Sequence, residues 1–290
     1  MQETREISAL FHLIDDPDRE VFTTVSERIY TFGKPIIPNL ENLWENTPEE
    51  DVQERIEMLI HRLHFRELSQ EMESWKSSSE DDLLTGALLV SKFQYPEIAV
   101  SSVTKEIEKI RRNIWLELTN YLTPLEQANV VTTILNSFYN LKGVEVSYKE
   151  PNDFLLNKVL DTKKGNSVSN GILYLIMGAL LDIPIRAVNI PRQFILGFFD
   201  VDFNNWGNVS ASPLENIQFF IDPTSGQIYT HKDVEAYFKK LSVPLSPSYF
   251  QPLGNSRVIQ TLIEQFAKCF LAEKDLYKHD ELLQLAATLD

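Results

Sequence analysis

The sequence is poor in cysteine, histidine and glycine, and each shortage excludes a class of site. Its single cysteine, Cys269, can form neither a disulfide within the chain nor a cysteine-rich zinc site. Apolar neighbours in IEQFAKCFLAE indicate a buried, structural thiol. Among only 10 glycines, Gly165 follows two lysines but has no partner glycine, so no phosphate-binding loop is present. We therefore expect no cofactor.

Five histidines leave few metal sites to consider. His61 and His64 are three residues apart, a spacing that permits metal binding from one helix face. Only Glu57 and Glu67 lie nearby in the sequence as further ligands, which favours histidines on a solvated helix face. The other histidines are isolated in the sequence, namely His12, His231 and His279. We expect no metal site.

Acidic side chains outnumber basic ones by 42 to 27, which gives a formal net charge of −15. Such a surface repels phosphate backbones and anionic lipid heads, so we expect neither nucleic acid nor a membrane as partner. The longest apolar run, 171–181, has about half of the ~20 residues that span a bilayer. The amino-terminal residues carry acids where a signal peptide has bases and then an apolar stretch. These features predict a cytoplasmic protein.

A weak internal repeat occupies the start of the chain. The segment LIDDPDREVFTTVSERIYTF (13–32) aligns with WENTPEEDVQERIEMLIHRL (44–63). Apolar residues at 21, 25, 29 and 32 form one helical stripe after an Asp-Pro-Asp helix start. Acid-Pro-acid followed by such a stripe resembles HEAT repeats, which predicts a HEAT-like helical segment over residues 1–75. The alternative is an unrelated pair of amphipathic helices.

The rest of the chain, after a polar break at 76–82, combines helices with a short β region. The predicted helices are 83–95, 97–118, 124–141, 152–161, 167–181, 231–240, 256–272 and 277–289. Of these, 167–181 is apolar enough to be buried on most sides. β-Branched and aromatic runs predict strands at 185–190, 193–200 and 217–221, with a polar loop at 204–213.

This order of elements predicts an α+β, mainly helical fold in which one buried helix packs against a small antiparallel sheet. We place one domain at 82–241 and a C-terminal helical pair at 242–290.

The β region and the helix before it contain a recognisable sequence pattern. The segment NDFLLNKVLDTKKGNSVSNGILYLIMGALLDIPIRAVNIPRQFILGFF, followed by FFIDPTSGQIY, resembles the SirB family of bacterial transglutaminase-like proteins. The similarity extends from DLLTGALLVSKFQYPEIAV to SRVIQTLIEQFAKCFLAEKDLYKHDELLQL, and so covers residues 82–288. The resemblance implies a transglutaminase-like core and closing helices of the tetratricopeptide-like kind, with the HEAT-like segment as an addition.

Active enzymes of this superfamily, like papain, use a cysteine at the start of the buried helix, a histidine on a following strand and an acid on the next. The helix N-terminus and the imidazolium stabilise the thiolate, and the acid orients the imidazole. The resemblance places these three slots at Ser167, Gln193 and Asp222. The family motif around the histidine is Pro-Gly-His-Phe, and the corresponding residues 191–194 of this chain are Pro-Arg-Gln-Phe.

These replacements predict that the catalysis is lost. Glutamine cannot accept a proton near neutral pH, and serine is a weak nucleophile without a base. Loss of either triad member costs about 10⁴–10⁶ in rate. We interpret Ser167 as a helix N-cap that shares this role with Asn166 or Ser169. Asp222 is either a hydrogen-bond partner of Gln193 across the cleft or an ordinary turn residue at a strand end.

Arg192, beside the glutamine, allows two interpretations. If it faces the cleft, it can hold a ligand carboxylate or pair with Asp222. The pattern favours an outward-facing surface arginine.

Two functions follow from these residues. The preferred one is a non-catalytic binding or regulatory scaffold with a protein or peptide partner, because helical-repeat surfaces bind peptides. Its working surfaces include the altered cleft, with Asn166, Ser169 and Arg192 as possible ligand contacts. The alternative is an amide hydrolase or acyltransferase that uses Ser167 or Ser169 with a base such as His231.

Overall fold

The computed structural model describes residues 2–78, 82–200 and 213–290. The chain divides into two compact units, Met1–Glu71 and Met72–Asp290. The polar loop predicted at 204–213 lies, apart from its last residue, outside the described residues, as does the middle of the polar break.

The first unit is helical. It contains α1 (Gln2–Phe11), α2 (Arg19–Phe32), α3 (Ile37–Asn46) and the first part of α4 (Glu50–Ser77). Asp18 caps α2 by accepting a hydrogen bond from Glu20 N at 2.9 Å, and Gly33 ends the helix with φ of 67°. The predicted stripe of α2 lies in the core, where Val25 and Ile29 are buried. The HEAT-like character of this unit stays a prediction.

In the second unit, helices and a sheet surround one buried helix. The helices are α5 (Leu83–Gln94), α6 (Val100–Glu117), α7 (Pro124–Thr132), α8 (Leu156–Thr162), α9 (Ser167–Leu180), α10 (His231–Leu241), α11 (Asn255–Ala267) and α12 (Leu276–Ala287). A π-helical turn, Thr133–Phe138, continues α7. The helix predicted at 152–161 splits into a 3₁₀ turn, Pro151–Phe154, and α8, because extended backbone at Leu155 separates them.

The sheet is antiparallel throughout. Its strands, in spatial order, are β3 (Ile185–Ile190), β4 (Gln193–Phe199), β5 (Ile217–Ile221) and β6 (Ile228–Tyr229). A separate parallel pair joins β1 (Lys142–Gly143) to β2 (Lys164–Gly165). The three predicted strands are confirmed. The two-residue strands were not predicted, because an alternating pattern needs at least ~4 residues to be visible.

The two faces of the sheet pack against different helices. On one face, α9 lies against β3 and β4, and Gly178 approaches Ile185. On the other face, Val188 and Ile195 share a core cluster with Val234 and Phe238 of α10. Side chains alternate along a strand, so even-numbered residues of β4 from 194 to 198 face α9, whereas odd-numbered ones face α10.

Helix α9 is buried because other helices cover the sides that the sheet does not. It contacts α5, α8 and α11 besides β3 and β4, and its residues from Val168 to Gly178 are all buried. The α+β, mainly helical class predicted from the sequence is confirmed. The predicted C-terminal helical pair is present as α11 and α12, which pack together, with Gln260 Nε2 donating to Ala286 O at 3.3 Å. Within the described ranges, no helix combines the length and hydropathy of a bilayer-spanning segment.

Candidate functional site

A capping box closes the N-terminus of α9, the position where the family's nucleophile belongs. Asn166 Oδ1 accepts hydrogen bonds from Val168 N at 3.0 Å and Ser169 N at 3.1 Å. Ser169 Oγ accepts from Asn166 N at 3.0 Å and donates to Asp153 O at 2.6 Å. The cap is therefore Asn166, completed by Ser169. The predicted cap at this position is present, but it is formed by Asn166 and Ser169 and not by Ser167, which is the first helical residue.

The capping role determines what these side chains can do. Asn166 is completely buried and Ser169 is nearly so. The Ser169 hydroxyl donates its hydrogen bond to a backbone carbonyl. Ser169 thus stabilises the helix N-terminus. Ser167 is partly exposed at the positive end of the helix dipole. Across the part of the chain that the structure describes, its hydroxyl has no hydrogen bond to a base.

The sheet presents Phe194 to the start of α9. Ser167 and Gly171 fall on one helical stripe, one turn apart, and this stripe faces the sheet. A β-carbon at Gly171 would lie 2.5 Å from Cε1 of Phe194 and 3.5 Å from Cγ of Pro223. Only a glycine leaves room for this ring, so an aromatic side chain and a proline cover the second turn of the helix.

Gln193 lies on the other face of the sheet. It is exposed at the beginning of β4 and pairs with Ile190, which belongs to the core cluster on the α10 side. Because neighbouring residues of a strand point to opposite faces, Gln193 and Phe194 cannot both face α9. The expectation that Gln193 lines the cleft is corrected, since Phe194 has that position.

Arg192 is an exposed residue of the turn between β3 and β4, with φ of 64°. The turn is fixed to α10, because Tyr237 donates from its hydroxyl to Pro191 O at 2.9 Å. Burial raises the pKa of Tyr237, and the positive charge of Arg192 opposes that rise. Arg192 therefore lies near α10, as the surface-arginine interpretation expects. Among the described residues, no ion pair joins it to Asp222.

Asp222 is a turn residue. Its carboxylate accepts hydrogen bonds from Thr224 N and Ser225 Oγ, both at 2.8 Å, where β5 leads into β6. It forms no hydrogen bond with Gln193 in the described chain. Its influence on α9 is electrostatic: burial raises the pKa of Tyr174 to about 12, and the negative charge of Asp222 acts in the same direction.

The remaining predicted groups lie elsewhere. His231 Nε2 is 3.2 Å from Leu214 O, and its ring packs edge-on against Phe220 on the α10 side of the sheet. The suggestion that His231 approaches Ser167 is corrected by this placement. Burial raises the pKa of Cys269 to about 12, so its thiol is protonated at neutral pH. No group of three or more potential metal ligands occurs among the described residues.

Sequence reasoning missed three residues in or near this site. Gly171, a glycine inside an apolar helix, marks a close approach of another chain segment. Phe194 follows the assigned histidine slot by one residue, and the alternation of side chains along the strand was the available indication that it, rather than Gln193, faces the helix. No sequence pattern indicates that Asn136 accepts a hydrogen bond from Tyr174 at 3.5 Å, because packing brings these distant residues together.

Comparisons with known proteins identify the family. The family model described as the transglutaminase-like superfamily matches residues 101–264, more than half of the chain. A UPF0162 protein of Vibrio cholerae is 22% identical over 196 residues, which cover 67% of this chain and 68% of that protein. A UPF0162 protein of Buchnera aphidicola is 26% identical over 149 residues, 49% of this chain and 51% of that protein. No solved structure matches. The chain therefore belongs to the transglutaminase-like superfamily.

Proposed function

We propose that this chain is a non-catalytic transglutaminase-like protein of the SirB type that acts as a protein-binding or regulatory scaffold. The observation that carries the proposal is the contact between Phe194 and Gly171. The side chain that the sheet offers to the start of α9 is a phenyl ring, which neither accepts nor donates a proton.

The chemistry of acyl transfer supports this conclusion. A serine hydroxyl attacks an acyl group only when a neighbouring base removes its proton. Among the described residues, Ser167 has no such base, and His231 is bound on the other side of the sheet. Asp222, which would orient the base, is bound within its own turn. No observation favours the serine hydrolase, so we propose no second function.

The binding role rests on exposed apolar side chains. Trp115, Leu116 and Tyr121, near the end of α6 and in the segment after it, are 60%, 64% and 96% exposed. Large apolar groups that are this exposed are frequent at sites where another protein docks. They support a protein or peptide as the partner.

The first test is turnover. Purified protein is incubated with a panel of activated esters and amides, and S167A is measured in parallel. We expect the two proteins to give the same rate, equal to the background. A rate above background that disappears in S167A would show that some group accepts the serine proton, and the proposal would be wrong.

The second test asks which residue faces the helix. A thiol is installed by S167C, and a histidine is added either by F194H or by Q193H. We expect F194H to lower the pKa of the new thiol by about 1–3 units relative to S167C alone, because an imidazolium stabilises a neighbouring thiolate. Q193H is expected to leave it unchanged.

The readout of this test is the pH dependence of iodoacetamide labelling. Cys269 contributes little background, because burial raises its pKa to about 12. If Q193H lowers the pKa of the thiol and F194H does not, Gln193 lines the cleft. The argument from Phe194 then fails.

A further inference from the structure

One stripe of α6 carries positive charge in an otherwise acidic chain. Lys105, Lys109, Arg112 and Leu116 are spaced at i, i+4, i+7 and i+11, so they lie on one helix face. All four are exposed. The stripe thus begins with three cations and ends with an apolar side chain.

A second basic group adjoins the stripe at Tyr139. Lys109 Nζ lies 5.7 Å from the centre of the Tyr139 ring, and Lys163 Nζ lies 5.8 Å from it. Both lysines contact Glu106, at 3.6 Å and 3.5 Å. One carboxylate is therefore shared between two cations at this point, which leaves excess positive charge.

The parallel strand pair adds two more lysines. Lys142 N donates to Lys163 O at 2.8 Å, and Lys142 is directly opposite Lys164 in the pair. Both side chains are exposed. Burial raises the pKa of Asp153; the charge of Lys164 opposes this rise and that of Glu150 adds to it, so two acids lie near this end.

Several of these cations form no ion pair in the described chain. Within the described residues, the members of this surface without an ion pair are Lys105, Arg112, Lys142 and Lys164. The chain as a whole has a net charge of −15, so a local excess of cations is opposite in sign to its average surface. Such a patch attracts anionic groups locally, and the rest of the molecule repels extended polyanions.

Large apolar side chains border these cations. Phe138 is 67% exposed, and its ring centre is 5.4 Å from that of Tyr139. Leu116 is 64% exposed at the end of the stripe. We call this surface the basic strip, and its members are Lys105, Lys109, Arg112, Leu116, Phe138, Tyr139, Lys142, Lys163 and Lys164.

We propose that the basic strip docks an acidic peptide segment of a partner protein, with one or more large apolar residues among its carboxylates. Carboxylates pair with the cations that form no ion pair, and apolar residues of the peptide cover Phe138 and Leu116, which would otherwise stay in water. A nucleic acid fits less well, because its phosphate chain would continue beyond the strip onto an acidic surface. This inference rests on the binding role proposed above and names its surface and partner class.

The test begins with selection of a random peptide library on the full chain. We expect the enriched peptides to be acidic and to contain an aromatic or aliphatic anchor. The best peptide is then synthesised with a fluorophore, and its dissociation constant is measured by anisotropy at low and high salt.

Two variants locate the binding surface. K109Q/R112Q removes two cations of the strip, and we expect it to weaken binding about tenfold at low salt and less at high salt. L116S/F138S removes the apolar part and is expected to weaken binding about tenfold at both salt concentrations. Circular dichroism before each titration ensures that only folded protein is compared.

The matched control is K239Q/K240Q, which removes two exposed lysines at the end of α10. We expect its affinity to stay within about twofold of the original, because these lysines lie outside the strip.

Equal losses of affinity in this control and in K109Q/R112Q would overturn the proposal. It would also be overturned if no peptide is enriched, if the enriched peptides are not acidic, or if a single-stranded oligonucleotide binds more tightly than the selected peptide. None of these outcomes affects the turnover test, so the proposal of the docking surface and the proposal of lost catalysis are tested independently.

Discussion

Phe194 and Gly171 are in direct contact, with Cε1 of the ring 2.5 Å from the place where a β-carbon of residue 171 would lie. This contact joins the start of the sheet's second strand to the second turn of the buried helix. It covers this turn, which is one turn after Ser167, with an apolar group. The family's triad needs a proton acceptor near this turn, so this packing contact is the basis of the proposed loss of catalysis.

Replacing Gly171 with alanine tests that contact. Alanine favours a helix over glycine by about 1 kcal/mol, but a methyl group forced into a packed ring costs about 1–3 kcal/mol. We expect a net loss of unfolding free energy of up to about 2 kcal/mol, measured by urea denaturation. In an F194L background the loss should shrink, because the smaller side chain makes room. An equal loss in both backgrounds would show that the ring is not the obstacle.

The capping box predicts different effects for two adjacent side chains. N166A removes the acceptor for Val168 N and Ser169 N, so we expect a loss of about 1–2 kcal/mol in unfolding free energy. S167A is the matched control. Its hydroxyl has no described hydrogen bond to lose, so the change should stay within about 0.5 kcal/mol. A larger effect of S167A than of N166A would contradict the assignment of the cap.

The turn at Arg192 holds a non-glycine residue at φ of 64°. The left-handed backbone conformation costs an L-residue about 1–2 kcal/mol. A glycine removes this strain, but it also makes the unfolded chain more flexible, which offsets part of the gain in stability. We expect R192G to raise the unfolding free energy by roughly 0.5–1 kcal/mol. R192A loses the charge but keeps the β-carbon, so it should give no gain. If the two variants stabilise equally, the effect comes from the charge rather than from the backbone.

Stability should fall at alkaline pH, and Cys269 and Tyr174 should make the largest contributions. Burial raises the pKa of Cys269 from 9.0 to about 12 and that of Tyr174 from 10.0 to about 12. Above these ordinary values the unfolded chain releases a proton that the folded chain keeps, so the unfolding free energy decreases as pH rises. The loss begins near pH 9 for the thiol and near pH 10 for the phenol.

Two variants separate these contributions by urea denaturation at several pH values. C269A should delay the loss until about pH 10, and Y174F should reduce its slope above that pH. Each titrating group can lower the unfolding free energy by at most about 1.4 kcal/mol per pH unit. Slopes that are unchanged in both variants would show that other groups govern the alkaline loss.

Much of the fold followed from local patterns. The period of apolar residues located most of the helices of both units, since an amphipathic stripe is a local property of the chain. The Asp-Pro-Asp start and Gly33 set the ends of α2, because caps act within one turn. The runs at β3, β4 and β5 were equally visible, but two-residue strands such as β6 carry no pattern of their own.

The chain's sequence alone determined the α+β class and the buried helix, and it supplied the residues on which the proposed loss of catalysis rests. It did not determine which side chain meets the helix. That depends on the register of β4 against β3, and a shift of one residue exchanges Gln193 for Phe194 on the face toward α9. The basic strip likewise exists only because folding brings α6, Tyr139 and the β1–β2 pair together. Local patterns specify elements, whereas sites are made by contacts between residues far apart in the sequence.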